Sequence, residues 1–444
     1  MYIIKYRNAE EMKISGISTV SKIPDSWKIS NAQYYFKIYA GGTPNTNVPT
    51  YWDGDIPWIN SGKVQNGIID SESRFITKKG LSKSSTRFID KDTTVMAMTG
   101  ATCGNVGYLR IRTTANQSVM AYSKPINSYS KFLFYYLMIQ KGQIDQYKTG
   151  GAQGGINVEN GKKFKIVLPC LSEQKIISNF LNVKTAELDS IISKKEKLIK
   201  KLREAQRSLV LEVVTGKVKI DNCRLVKRQL GEMKDSGVEW LGLMPKDWRI
   251  KRTKYLLYES NKRSVLGKEE PLSMSQKYGL IRSSDMEQIP NQSLSFKGNK
   301  LCKKGDLVFN KLKSHLGVFS VSNQEGIVSP DYAVYRPFKG TNIKFLEYLF
   351  KTPLYINEFN KYSKGVGTGL TRLYTSDLFN IVSLLPSLEE QNGIVCYINN
   401  KTAEIELLIK TVGHEIQKLK EAKQSLIYEA VTGKIDLRDW EIVE

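Results

Sequence analysis

The sequence predicts an α+β protein built twice over, with two globular segments of twisted β-sheet and short helices joined by two long antiparallel α-helices that form a coiled coil. Three observations predict it. Residues 168–220 and 385–437 align without a gap at an offset of 217, with 24 of 53 positions identical, and a repeat of that length belongs to the architecture rather than to composition. Each copy carries an apolar stripe at heptad spacing. The segments outside these copies hold β-branched and aromatic runs broken by Gly, Asn, Asp and Pro, the pattern of short antiparallel strands with long loops.

In the first copy Leu181, Leu188, Lys195, Leu202 and Leu209 fall seven apart, with Ile191, Leu198 and Ala205 completing the stripe and Ile192 and Ile199 beside them. In the second, Ile398, Ile405, Val412, Leu419 and Leu426 repeat the seam with Leu408, Ala422 and Ile409. The alternative is two amphipathic helices covering separate cores. A stripe this narrow and this long favours helix against helix. Pro169 and Pro386 precede the helices, Ser387 with Glu390 reads as a capping box, and Gly216 and Gly433 stand where a left-handed C-terminal cap belongs. Such a helix is a rod of roughly 65 Å at about 1.5 Å per residue.

The repeat extends into the globular segments. Met12-Lys13, Ser15-Gly16, Pro24 and Trp27 reappear as Met233-Lys234, Ser236-Gly237, Pro245 and Trp248, and Lys131-Phe132-Leu133 with Tyr135 reappears as Lys344-Phe345-Leu346 with Tyr348. The expected boundaries are a globular domain at 1–167, a helix at 168–220, a second globular domain at 221–384, and a helix with its tail at 385–444. Tyr129 to Gln140 and Asn342 to Lys351 read as one short buried helix per domain. Between these landmarks the domains do not match, as GGTPNTNVPTYWDGDIPWIN in the first and GDLVFNKLKSHLGVFSV in the second illustrate.

Lys+Arg 67 against Asp+Glu 44 gives a net charge of +23, which favours a polyanionic partner, nucleic acid above all. Five cysteines without CxxC spacing argue for a reducing compartment and against a zinc site. The N-terminal stretch lacks the apolar core of a signal peptide, and the longest apolar run, Phe132 to Ile139, is too short to span a bilayer. A cytoplasmic protein with no membrane partner is the expectation.

Two domains on one plan with unlike loops, joined by matched rods, would present two different surfaces at a fixed spacing. Dimeric DNA readers use that geometry on half-sites about 34 Å apart per helical turn. At this point the chain resembles the specificity subunit of a type I restriction-modification enzyme. The resemblance rests on the LPxLxEQ openings, Lys184 to Glu187 and Lys401 to Glu404 (both KTAE), and the EAxxSLxxExVTGK closings. It rests also on the repeated MKxSG to PxxW element, on Tyr51 to Asn60, and on Gly326 to Pro337. It implies two target-recognition domains reading double-stranded DNA and two conserved helical spacers. It also implies docking of two modification subunits that bind S-adenosylmethionine and methylate adenine, and of restriction subunits, the motor nucleases, that use ATP and Mg.

The chain itself carries no catalytic signature. It has no Pro-Pro, so the Asn/Asp-Pro-Pro-aromatic motif of amino-methyltransferases is missing, and it has no phosphate loop; the run Gly365 to Leu370 ends in Leu where a dinucleotide fingerprint needs Gly. Its two histidines, His315 and His414, have no partner at metal or nuclease spacing. No cofactor or metal is expected on this chain. A stand-alone DNA-modifying enzyme and a coiled-coil scaffold binding nucleic acid without sequence preference are the rival readings, the second predicting affinity set by salt alone.

Base edges are read by Arg, Lys, Asn, Gln, Ser and Thr on elements that enter a groove. In the first domain the candidates are Asn60, Ser61 and Lys63 after the Trp-Ile strand, Thr99 and Thr102 in a glycine-flanked loop, Asn116 and Gln117, and Gln153. In the second they are Ser275 and Gln276, then Asn310, Lys311, Lys313 and Ser314, then Thr368 and Arg372. Any one of these could equally be an ordinary turn residue. Trp27, Trp52, Trp58 and Trp248 sit in strand-like or repeated contexts and read as core rather than as stacking platforms. Glu187, Glu204, Glu404 and Glu421 fall on the outer faces of the long helices.

Overall fold

Two α-helices of 44 residues each, Leu171–Val214 and Leu388–Val431, carry the repeat. The computed structural model describes residues 5–148, 154–286, 295–365 and 371–440. The ends of the long helices are set as the sequence indicates. Gly216 and Gly433 both adopt φ 72°, and Lys217 N–H and Lys434 N–H reach back five residues to the carbonyls of Glu212 and Glu429 at 2.9 Å each, the Schellman closure that satisfies orphan carbonyls. At the start of the second helix Ser387 Oγ accepts from Glu390 N–H at 3.1 Å. The expected capping box is only half formed, because the Glu390 carboxylate is engaged elsewhere by Trp248 and Arg228.

The chain divides into two compact units, residues 1–196 with 413–444, and residues 197–412. In the first unit the helical segments run antiparallel, with Lys423 Nζ on both Asp189 carboxylate oxygens at 2.7 Å and Lys195 Nζ on Glu415 at 2.6 Å. In the second, Gln206 Nε2 donates to Glu406 Oε1 at 3.3 Å. Position 206 is the repeat equivalent of 423, and 406 of 189. The seam is rotated from the expected one. Thr185, Leu188, Ile192, Lys195, Ile199, Leu202 and Gln206 face inward, whereas Ile191 and Leu198 are 42% and 44% exposed and Ala205 is exposed. On the other helix Leu408 is 52% exposed and Ala422 is exposed, while Ile409, Val412 and Ile416 are buried. The partner positions thus lie four residues after Leu181, Leu188 and Lys195, not three, a rotation of about 100° for one residue. Glu187, Glu204, Glu404 and Glu421 are exposed.

The first unit is built on a five-stranded sheet in the order Lys37–Ala40, Val119–Ser123, Thr94–Ala97, Val106–Leu109, Gly67–Ile69, with a smaller sheet of Thr114–Ala115, Trp52–Ile59 and Arg74–Ile76. Pairing is antiparallel except for Val106–Leu109 with Gly67–Ile69 and Thr114–Ala115 with Trp52–Ile59, which are parallel; such pairs need crossovers, and the long loops supply them. The helix Ser130–Met138 packs on this sheet, buried along nearly its whole length. The second unit holds a four-stranded antiparallel sheet in the order Leu257–Glu259, Tyr332–Pro337, Leu307–Asn310, Phe319–Val321, backed by the helix Ile343–Phe350, whose N-cap Asn342 accepts from Lys344 and Phe345 amides. These are the two short helices the sequence indicates. Trp27, Trp52, Trp58 and Trp248 are all core residues.

Both units seat the start of a long helix in the same way. In the first, Trp27 Nε1 donates to Glu173 Oε2 at 3.0 Å and Arg7 pairs with Glu173. In the second, Trp248 Nε1 donates to Glu390 Oε2 at 2.9 Å and Arg228 to Glu390 Oε1 at 2.8 Å. Gln174 accepts from Tyr129 N–H at 2.8 Å and Gln391 from Asn342 N–H at 2.7 Å, which ties each short helix to its long one. Burial raises the Glu390 pKa, partly offset by the bonds from Trp248 and Arg228.

Candidate nucleic-acid interface

In the first unit three loops leave the same end of adjoining strands. Thr114 and Ala115 pair with Trp58 and Ile59, and the ladder runs one step further, Asn116 N–H donating to Ile59 O at 3.0 Å. Asn60 and Asn116 therefore emerge side by side. Asn60 opens a 3-10 turn, Ser61–Lys63, that packs against the strand Thr94–Ala97. On the other flank Val119 pairs with Ala97, and Met98 N–H donates to Ser118 O at 2.8 Å, which brings Thr99 beside the Asn116–Ser118 turn. Thr99 opens and Thr102 closes a second 3-10 turn.

The side chains at this end are partly committed. Asn116 Oδ1 accepts from Ser118 N–H at 3.2 Å, and Gln117 accepts from the Thr43 hydroxyl. Asn60, Thr99 and Gln117 are exposed, and Ser61, Lys63, Thr102 and Asn116 are half-buried. Gln153 lies outside the described residues; nearby, Ile156 N–H donates to Met98 O at 2.9 Å. Gly41 and Gly42 lie flush over this edge. A Cβ on Gly41 would stand 2.1 Å from Ala115 O, and one on Gly42 2.3 Å from Ser85 Oγ, so only glycine permits the approach.

In the second unit Asn310 ends its strand opposite Tyr332, and the chain turns back as Lys313 N–H donates to Asn310 O at 3.0 Å. Leu373 N–H donates to Lys311 O at 3.0 Å, which sets Arg372 alongside; its guanidinium pairs with Asp331 at 2.9 Å. The hairpin bearing Ser275 and Gln276 is adjacent, because Met274 is buried in one apolar cluster with Val308 and Val334, and Tyr332 packs against it. Ser275 Oγ accepts from the Lys277 and Tyr278 amides at 3.3 Å and shapes the hairpin tip, where Gln276 is exposed. Asn310 and Lys311 are half-buried and Lys313 is exposed. Ser314 is corrected by the structure: it is fully buried and its hydroxyl donates to Lys311 O at 3.3 Å, so it holds the turn and has no face for a base. Thr368 lies outside the described residues.

Beneath this edge sits a charged network the sequence does not announce. Glu259 receives Lys300 Nζ at 2.8 Å and the Thr375 hydroxyl at 2.6 Å, with Lys311 Nζ 3.8 Å away. Burial raises the Glu259 carboxyl, but the bonds from Lys300 and Thr375 outweigh it and hold the pKa below the usual value. Burial lowers the Lys311 pKa, partly offset by Glu259. No local pattern marks Glu259 or Lys300, which lie 41 positions apart. Among the described residues no group of three or more His, Cys, Asp or Glu side chains could hold a metal ion, and no helix is long and apolar enough to cross a membrane.

The structure is a duplicated scaffold with one set of polar loops per unit. Residues 24–201 match the model of the type I restriction modification DNA specificity domain. The chain is 21% identical over 432 residues to the type I restriction enzyme MjaVIII specificity subunit of Methanocaldococcus jannaschii, covering 94% of this chain and 95% of that one. It is 21% identical over 442 residues to the type I restriction enzyme EcoKI specificity subunit of Escherichia coli K12, covering 94% and 91%. Its fold matches a chain solved in a study of complex assembly and conformational transition of the type I R-M system, with a TM-score of 0.62 at 16% identity, over 92% of this chain and 98% of that one. The chain is thus similar, over nearly its whole length, to specificity subunits of type I restriction-modification enzymes, and residues 24–201 match the DNA specificity domain model of that family.

Proposed function

We propose that each unit reads one half of an asymmetric, bipartite double-stranded DNA target, the first through Asn60–Lys63, Thr99, Thr102, Asn116 and Gln117, the second through Ser275, Gln276, Asn310, Lys311, Lys313 and Arg372. The observation that carries this reading is that the two units share one seat for the long helices while the polar residues at their edges differ, with a parallel ladder at Asn60 and Asn116 in the first and a hairpin tip at Ser275 and Gln276 beside Asn310 in the second. Unlike edges on a common frame suit unlike half-sites. The net charge of +23 supplies the sequence-independent attraction to phosphate.

The long helices act as spacers of fixed length, and their exposed faces dock two modification subunits, which bring S-adenosylmethionine, and restriction subunits, which bring ATP and Mg. Such a complex works on cytoplasmic DNA. Single-molecule sequencing of adenine methylation, in cells carrying the chain with its modification subunit, tests the reading. A split, asymmetric motif is expected. The Asn310→Ala, Lys311→Ala pair should blur one half only, each lost base contact being worth about 1–3 kcal/mol of discrimination. Absence of any motif would leave a nucleic-acid scaffold without sequence preference.

A further inference from the structure

Three arginines in the first unit lie over aromatic rings. The guanidinium carbon of Arg74 is 4.4 Å from the Trp52 ring centroid, that of Arg112 is 4.0 Å from Phe88, and that of Arg87 is 4.8 Å from Tyr39. Arg74 is also paired with Asp53 at 3.2 Å, and Arg112 with Asp90 at 3.4 Å. Among the described residues Arg87 has no carboxylate within ion-pair distance, and it is exposed. Its place in the fold is set by its neighbour: Thr86 is buried and its hydroxyl donates to Ala115 O at 3.0 Å, one residue before Asn116. The Ser85–Thr86 backbone packs against Gly42, and the Tyr39 hydroxyl reaches Phe88 O at 3.4 Å. Arg87 thus stands on a braced platform at the flank of the Asn60–Asn116 edge.

A guanidinium lying over a ring keeps its in-plane N–H donors for a ligand and loses little freedom on binding. With no acid to neutralise it, the ligand it suits is an anion with several acceptor oxygens. We infer that Arg87, held by Tyr39, is a binding subsite for a DNA backbone phosphate, fixing the strand whose bases meet Asn116 and Gln117. This rests on the DNA-reading proposal above.

The test uses the complex of this chain with its modification subunit and measures binding to its methylation motif and to an unrelated duplex over a range of salt. Arg87→Ala should weaken both duplexes by about fivefold and make the slope of log affinity against log salt shallower by about 1, with the methylated motif unchanged. Tyr39→Leu keeps the charge and frees it, so the salt slope should stay while affinity falls less. Arg74→Ala, which removes an arginine already neutralised by Asp53, should leave the slope unchanged. Relaxed preference at one base pair in Arg87→Ala would overturn the phosphate assignment in favour of base reading, and an unchanged slope would remove Arg87 from the interface. Failure of the unsubstituted complex to prefer any duplex would instead sink the DNA-reading proposal itself.

Discussion

The seat and the edge of each unit obey different rules. At the seats Arg7, Trp27, Glu173 and Gln174 recur as Arg228, Trp248, Glu390 and Gln391, with the indole bonds at 3.0 and 2.9 Å and the glutamine bonds at 2.8 and 2.7 Å. At the edges only the frame recurs, a 3-10 turn after the edge strand in each unit, Gly100–Thr102 and Ser314–Leu316: the first unit adds a parallel ladder and a second 3-10 turn, the second a hairpin tip and the Glu259 network. The difference teaches where the chain is free to vary. A buried indole N–H or guanidinium left without its carboxylate costs several kcal/mol, so the seat tolerates no drift. Exposed turn residues cost almost nothing to exchange, so the edges can diverge and carry specificity.

The strongest way to break the comparison is to remove its carboxylates. Glu173→Ala should destabilise the first unit, and Glu390→Ala the second, each by about 3 kcal/mol, since Arg7 and Trp27, or Arg228 and Trp248, lose their acceptor while buried. Urea unfolding followed by hydrogen exchange in each unit should show the loss confined to the unit mutated. A loss spread evenly over both would deny the seats their separate roles.

A smaller effect is expected at the far ends of the helices. A Cβ at Gly433 would meet Pro24 Cγ at 2.5 Å, and one at Gly216 would meet Pro245 Cγ at 2.4 Å, each at φ 72°. Gly433→Ala and Gly216→Ala should each cost about 2 kcal/mol in thermal unfolding, combining a left-handed residue with a clash. Near-neutral values would mean that the proline can shift freely.

The smallest effect sharpens a buried asymmetry between the short helices. Lys344 pairs with Glu347 at 2.7 Å, but its counterpart Lys131 is 3% exposed, lies 4.4 Å from the Tyr108 ring centroid, and is followed three positions on by Phe134 where the other helix has Glu347. Burial lowers its pKa to about 8, with Arg110 adding to the shift and Asp92 opposing it. The unfolded chain, whose lysine titrates near 10.5, therefore binds more protons between those values. This group's contribution makes stability rise as pH climbs from about 8 to 10.5. Lys131→Met should stabilise the first unit by about 1 kcal/mol at pH 7 and flatten that rise. A slope unchanged in Lys131→Met would place the titration elsewhere.

Much of the frame was legible because it is periodic or repeated. The helix ends at Gly216 and Gly433, the short helices at Lys131 and Lys344, and the burial of all four tryptophans followed from spacing and from the repeat. The facing of the seam was not legible. Ile191 and Ile192, or Leu408 and Ile409, are adjacent apolar residues about 100° apart on a helix, and a heptad count accepts either; packing buried Ile192 and Ile409 and left the other two in solvent. At the edge, residue type pointed to polar loops but could not separate Gln276, which is exposed, from Ser314, which is wholly buried.

What the sequence by itself determined is the plan: two copies, two capped helices of a set length and one short buried helix in each copy, because each of these is a local or periodic property of the chain. Only the tertiary structure decided that Glu390 would leave its capping box for Trp248 and Arg228, that Asn60 would emerge beside Asn116, and that Glu259 would lie under Lys311. Glu390 stands 142 positions from Trp248 and 162 from Arg228. The free energy of such pairings comes from burial and from matching donors to acceptors across the fold, and no window along the chain contains both partners.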